Sequence, residues 1–153
     1  MKEYWNGDIN WYAPAEIGDK IFLESSQRKI TPLGLQKSSA RILPPGTVLF
    51  TSRAGIGNTA ILQTEATTNQ GFQSIVPHQN ELNTYFIYSC TTYLKRYAET
   101  VAGGSTFLEI SKKMMEKMTL FVPVIEEQKK VGVFYKKLDD LITLHQREPN
   151  LVK

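Results

Sequence analysis

The sequence predicts an α/β fold of the α+β kind: a mixed-sheet domain over residues 1–122, a long helix of coiled-coil type over 123–148, and a tail at 149–153. Three patterns lead there. Short aliphatic and β-branched runs alternate with Gly- and Pro-containing turns through the first half. Apolar residues then take up helical spacing from Asn83 onward. Finally, Val131, Phe134, Leu138, Leu141 and His145 follow a sustained 3-4-3-4 stripe.

Residues 4–30 alternate aromatic and aliphatic positions with turn formers (Asn6-Gly7-Asp8, Gly18-Asp19), and KIFLES reads as a strand. Thr31-Pro32 before LGLQKSS is a capped helix start that cannot continue past Pro44-Pro45-Gly46. TVLFTS (47–52) and TAILQT (59–64) form a predicted hairpin, because Gly55-Ile56-Gly57-Asn58 between them accepts positive φ. FQSIVP (72–77) is a predicted third strand. Phe86, Cys90, Tyr93, Leu94, Tyr97 and Val101 define one long amphipathic helix over a sheet face, stopped by Gly103-Gly104. A short helix follows from Ser111, then MTLFVP (118–123) as a buried strand.

The stripe of residues 125–147 is widened by Tyr135 and Ile142. At ~1.5 Å per residue such a helix is roughly 33 Å long. Glu126-Glu127 near its start and His145 and Arg147 near its end complement its dipole. It is expected to project from the body and pair.

A chain of 153 residues is one ordinary domain, and a composition 41% apolar and 22% charged fits neither disorder nor a membrane span. Met1 to Trp5 lack a basic region followed by an apolar stretch, so a cytoplasmic location is expected. Cys90 is the only cysteine, and with His78 and His145 alone beside it no metal cluster is expected. The net charge of +3 is compatible with a polyanion partner.

Catalytic patterns are absent. Gly55 and Gly57 lack the third glycine of a dinucleotide turn, and no Gly-Lys-Ser/Thr closes a phosphate loop. His145 lies on the apolar stripe, His78 in a turn, and Cys90 on an apolar helix face where thiols are inert. The carboxylates are scattered, and no Asn/Asp-Pro-Pro-Tyr/Phe tetrad occurs. Neither an enzyme nor a cofactor is expected.

What remains is a set of polar and basic donors on turns and helix ends: Lys37, Arg41, Ser52, Arg53, Asn58, Thr67, Thr68, Asn69, Gln70, Lys95, Arg96, Ser105, Thr106, Lys112 and Lys113. Arginine and lysine suit phosphates or the guanine edge, and Asn or Gln the N6/N7 edge of adenine. Asn69-Gln70 beside Gly71 would let amides approach a base closely. Asn-Gln-Gly is equally an ordinary turn, and Arg53 could pair with a local carboxylate.

The order of motifs resembles one half of the specificity subunit of type I restriction-modification systems. YWNGDINWYAPAEI (4–17), PPGTVLFTSRAGIGNTAI (44–61), TNQGFQSIVP (68–77) and the stretch from Gly103 to Glu148 carry the likeness. The resemblance implies a target recognition domain that reads a half-site in double-stranded DNA, and a helix that packs on its counterpart. It implies a non-catalytic subunit that positions adenine-N6 methyltransferase (modification) subunits and a restriction subunit.

Ser52, Arg53, Gly55 and Gly57 then match a turn of that domain, Asn69, Gln70 and Gly71 the adjoining loop, and Gly104, Ser105, Thr106 and Ile110 the segment leading to the last strand. Pro123, Glu127, Gln128, Phe134, Leu138, Asp139, Ile142 and Gln146 match the helix entry and spacer helix. The family has two recognition domains and two helices against one of each here, so a homodimer, or pairing with another half subunit, is expected through Val131, Phe134, Tyr135, Leu138, Leu141, Ile142 and His145. A family strand ahead of Tyr4 is missing, which would leave a sheet edge unpaired, and Pro149 shortens the helix. The rival expectation is an interaction module that docks the modification subunit without reading DNA.

Overall fold

A computed structural model describes residues 2–103 and 108–147. Two small three-stranded sheets, five α-helices and two short 3-10 turns make up this part of the chain. The first sheet contains β1 (Trp5–Tyr12), β3 (Arg28–Ile30) and β6 (Thr67–Thr68) in the order β3-β1-β6. β1 is antiparallel to β3 and parallel to β6, so it is paired on both sides. The second sheet contains β2 (Phe22–Leu23), β4 (Val48–Phe50) and β5 (Thr59–Leu62) in the order β2-β5-β4.

The second sheet is buried on both faces, and strand alternation assigns its side chains to two cores. Val48, Phe50 and Ile61 join Phe86, Ile87, Leu94 and Ala98 in one cluster under α2 (Thr84–Ser89) and α3 (Thr91–Ala102). Leu49, Ala60 and Leu62 point the other way, to Tyr12, Ile17, Ala66 and Phe72. Both strands therefore read as continuous apolar runs.

The expected hairpin is present: β4 and β5 are antiparallel, with Leu49 opposite Ala60. Thr51 closes its tip, its hydroxyl donating to the Gly55 carbonyl and accepting from the Asn58 amide. Gly55 and Gly57 have φ of +100° and +85°, the left-handed region that glycine tolerates. The helix expected after Thr31 is α1 (Pro32–Gln36), capped by the Thr31 side chain on the Gly34 amide.

Three elements differ from expectation. FQSIVP makes only isolated bridges, Thr51 to Phe72 and Val48 to Ile75, and is not a regular strand. The single long helix breaks at Cys90, which caps α2. There the Ser89 and Thr91 hydroxyls bond back to the Phe86 and Tyr88 carbonyls, offering the backbone an alternative to a continuous helix. MTLFVP is no strand, because no described strand pairs with it, and Phe121 at 92% exposure is not buried. It follows α4 (Lys112–Glu116), which starts at the Ser111 cap as expected.

The last described element is α5 (Ile125–Arg147), whose 23 residues agree with the long helix expected. Its first turns dock on α2. Gln128, 1% exposed, accepts from the Asn83 amide and donates to the Glu81 and Pro123 carbonyls. Gly132 lies so close to α2 that a Cβ would meet Asn83 Oδ1 at 2.8 Å. Further along, the Tyr85 hydroxyl donates to the Asp139 carboxylate.

Candidate nucleic-acid interface

The polar segment after β6 sits between two clefts. The larger, of ≈ 800 Å³, has Arg41, Asn69, Gln70 and Lys112 on its lining, with apolar walls from Met115, Met118 and neighbours. The smaller, of ≈ 260 Å³, shares Asn69 and Gln70 and adds Lys37, Trp5 and Trp11. Six of the expected donors thus meet here: Thr68, Asn69 and Gln70 from one stretch, Lys37 from the end of α1, Arg41 from the segment after it and Lys112 from α4. Lys113 is exposed beside Lys112 at the start of α4.

The loop owes its shape to Asn69 and Gly71. Asn69 Oδ1 accepts from the Gly71 amide at 2.8 Å, and a Cβ on Gly71 would meet Pro14 Cγ at 2.7 Å. One amide oxygen is therefore committed to the turn. Gln70 is exposed and, among the described residues, makes no hydrogen bond. Of the adjacent amides, Gln70 is the freer to meet a ligand.

Ser52 differs from the expectation of a surface donor. It is 0% exposed, its hydroxyl has no partner among the described residues, and its backbone does the connecting. The Ser52 amide donates to the Gly71 carbonyl, and its carbonyl accepts from the Ile110 amide. It is a strut tying the hairpin to the Asn69-Gln70 loop and to the segment before α4. Thr67 is likewise buried, donating to the Asn10 carbonyl.

Arg53 and Lys95 line neither cleft. The Lys95 stem crosses Gly57, where a Cβ would meet Lys95 Cγ at 2.6 Å, so α3 and the hairpin tip touch. Arg53 is half-buried on that tip with no ion pair among the described residues, and Arg96 is exposed one residue further along α3. Ser105, Thr106 and Gly104, like Pro149 and the tail at 149–153, lie outside the described residues.

Lys112 has a carboxylate neighbour, Glu116 at 3.6 Å, but both side chains are well exposed and the pair is weak. His78 and Glu81 form an exposed turn pair. Burial pushes the Cys90 thiol up, only partly opposed by a hydrogen bond with Ser89, which disfavours the nucleophilic thiolate. Among the described residues no cluster of His, Cys, Asp and Glu could hold a metal ion, and no helix is long and apolar enough to cross a membrane.

The aromatic wall of the smaller cleft was not expected. Trp5 and Trp11 meet edge to face at 5.0 Å, and the Arg28 guanidinium lies 3.7 Å over Trp5. Nothing local showed that the two rings would meet, since the register of β1 against β3 breaks between Trp5 and Ile9, or that the loop after β6 would lie beside them. The helix stripe is also divided by the structure. Val131 packs on the core and Tyr135 lines a seam with Tyr85 and Asp139, whereas Phe134, Leu138, Leu141 and Ile142 remain exposed and His145 is near the outer end.

Residues 2–153 match the family described as the type I restriction modification DNA specificity domain. The MjaIX specificity subunit of Methanocaldococcus jannaschii is 35% identical over all of this chain, and the EcoR124I/EcoR124II specificity subunit of Escherichia coli is 29% identical over 91% of it. The chain spans only 36% of the length of either relative. The HsdS subunit from Thermoanaerobacter tengcongensis has the same fold at a TM-score of 0.68 and 19% identity, over 94% of this chain and 32% of that one. A chain from a structure concerned with complex assembly and conformational transition of the type I R-M system gives 0.73, also at 19% identity, over 97% and 36%.

Proposed function

Since the chain belongs to the family of type I restriction-modification DNA specificity domains, we propose that it is a half specificity subunit reading one half-site in double-stranded DNA. The reading rests on one observation above others: Lys37, Arg41 and Lys112 rim the two clefts that flank the open Gln70 amide. Cations hold phosphates and set register, while the amide offers the paired donor and acceptor that an adenine edge requires. Ser52 acts as scaffold for that loop.

The subunit carries no catalysis of its own. It positions a methyltransferase subunit, and through it a restriction subunit, at the site it binds. The exposed stripe of α5 pairs with a second copy or with another half subunit, and two inverted half-sites are then read across a spacer that the helices set.

The test is co-expression with a modification subunit from the same genome, followed by sequencing for N6-methyladenine. A gapped palindromic methylated motif is the expected result, and an asymmetric bipartite motif means pairing with a different half. Stable co-purification without methylation overturns DNA reading in favour of a docking module. That second reading draws on the exposed apolar surface of Phe121, Val124 and the α5 stripe, none of which lines the two clefts beside Gln70.

A further inference from the structure

The smaller cleft has a chemistry that phosphate contact and groove-edge reading leave unused. Its volume, ≈ 260 Å³, is just below the ~300–1,000 Å³ of pockets for drug-sized ligands, so it suits a single flat ring system and not a base pair. Trp5 and Trp11 supply half-buried indole surface at an interplanar angle of 89°, an L-shaped corner with one ring's face against the other's edge. Arg28, stacked over Trp5 but outside the cleft lining, holds that ring in place.

The remaining walls favour a nucleotide. Lys37 is the only charged residue among those lining the cleft, and no carboxylate opposes it. Gln70, with its amide uncommitted, faces the same space, and Thr68 and Asn69 complete that side. The larger cleft, with Arg41 and Lys112 at its rim, begins on the other side of the same loop.

Resting on the DNA-reading function, we infer that this cleft is a stacking subsite for one unstacked purine base of the bound DNA, adenine best, with its N6/N7 edge on Gln70. Taking a base out of a duplex costs free energy that stacking on an aromatic side chain returns in part. Single-stranded or mispaired bases therefore enter more readily than paired ones. The neighbouring phosphates lie against Lys37 and Arg41, which is why a polynucleotide binds better than a free nucleotide.

The test uses a property of the sequence: Trp5 and Trp11 are the only two tryptophans, so intrinsic indole fluorescence reports on this cleft alone. The full chain is titrated with an octamer of deoxyadenylate, the same length of abasic chain, and dAMP. Quenching by the octamer, at least tenfold weaker binding of dAMP, and no quenching by the abasic chain are expected.

Gln70→Ala, an exposed substitution, is expected to weaken the deoxyadenylate octamer about tenfold and a thymidylate octamer hardly at all. Trp5→Phe keeps a stacking face and should retain binding, whereas Trp5→Ala loses at least tenfold. Equal quenching by the abasic chain, or none by any octamer while duplex DNA still binds by anisotropy, overturns the subsite and leaves the DNA-reading function standing. A dAMP affinity equal to the octamer's makes this a free-nucleotide site and overturns the inference in that form. Failure of duplex and octamer alike overturns both readings.

Discussion

Along α5, the face turned to the body is held by Gln128, Gly132 and Asp139, while the face turned to solvent carries Phe134, Leu138, Leu141 and Ile142. Hydrophobic periodicity alone would assign these faces the other way round. The docked face works because its polar groups are matched: Gln128 uses its amide oxygen and nitrogen in three hydrogen bonds, and a glycine lets two helix backbones approach. An apolar stripe left at 38–61% exposure on a helix already docked by its other side is surface available to a partner.

The comparison is broken most severely at Gln128. Gln128→Ala strands the Asn83 amide and two carbonyls in a site closed to water, and is expected to cost about 3 kcal/mol in urea unfolding, at the upper end for unsatisfied buried groups. A loss below about 1 kcal/mol would mean that the polar face contributes little to docking. Gly132→Val forces a side chain against Asn83 Oδ1, the Phe86 amide and Tyr85 Cβ, and is expected to cost about 2 kcal/mol. Its circular dichroism should keep the native helix content, since the damage lies between helices.

Tyr85 gives a smaller effect with a pH signature. Burial first, then the hydrogen bond to Asp139 and that carboxylate's charge, holds its phenol above the ordinary value of 10.0. A group whose pKa is raised by folding stabilises the fold in full below its unfolded pKa, and the contribution is lost as pH rises beyond it. Tyr85→Phe is therefore expected to cost about 1 kcal/mol at neutral pH and to make the fall in stability above about pH 10 shallower. Some fall remains, because Tyr12, pushed up to about 12 by burial and Glu16, titrates in the same direction. An unchanged alkaline limb would remove Tyr85 from the docking seam.

These particulars also mark what local sequence could disclose. The Thr31 cap with Pro32, the glycines of the hairpin tip and the length of α5 are each decided within a few residues, and each was legible. The pairing of Thr67-Thr68 with Trp11-Tyr12 joins strands more than 50 residues apart and has no local signature. That pairing is what brings Gln70 to Trp5 and Trp11. Ser52 was misread for a related reason: a serine beside an arginine on a turn reads as surface, and only the bonds to Gly71 and Ile110 reveal a buried strut. The division of the basic residues between the Gln70 loop and the hairpin tip has no local signature either.

The outer face of α5 sharpens the comparison through an expected absence of effect on the fold. Leu141 is 61% exposed and Ile142 54%, and neither packs on the core, so replacing either by glutamine keeps a good helix former and should change unfolding stability by less than about 0.5 kcal/mol. The proposed pairing, by contrast, would bury those side chains against another helix. The sedimentation coefficient of Leu141→Gln should report a monomer at concentrations where the parent chain pairs, with unfolding curves that superimpose. If the variant pairs as well as the parent, the stripe is not the pairing surface. If it unfolds substantially more easily, the outer face contributes to the fold and the two faces of α5 are not separate devices.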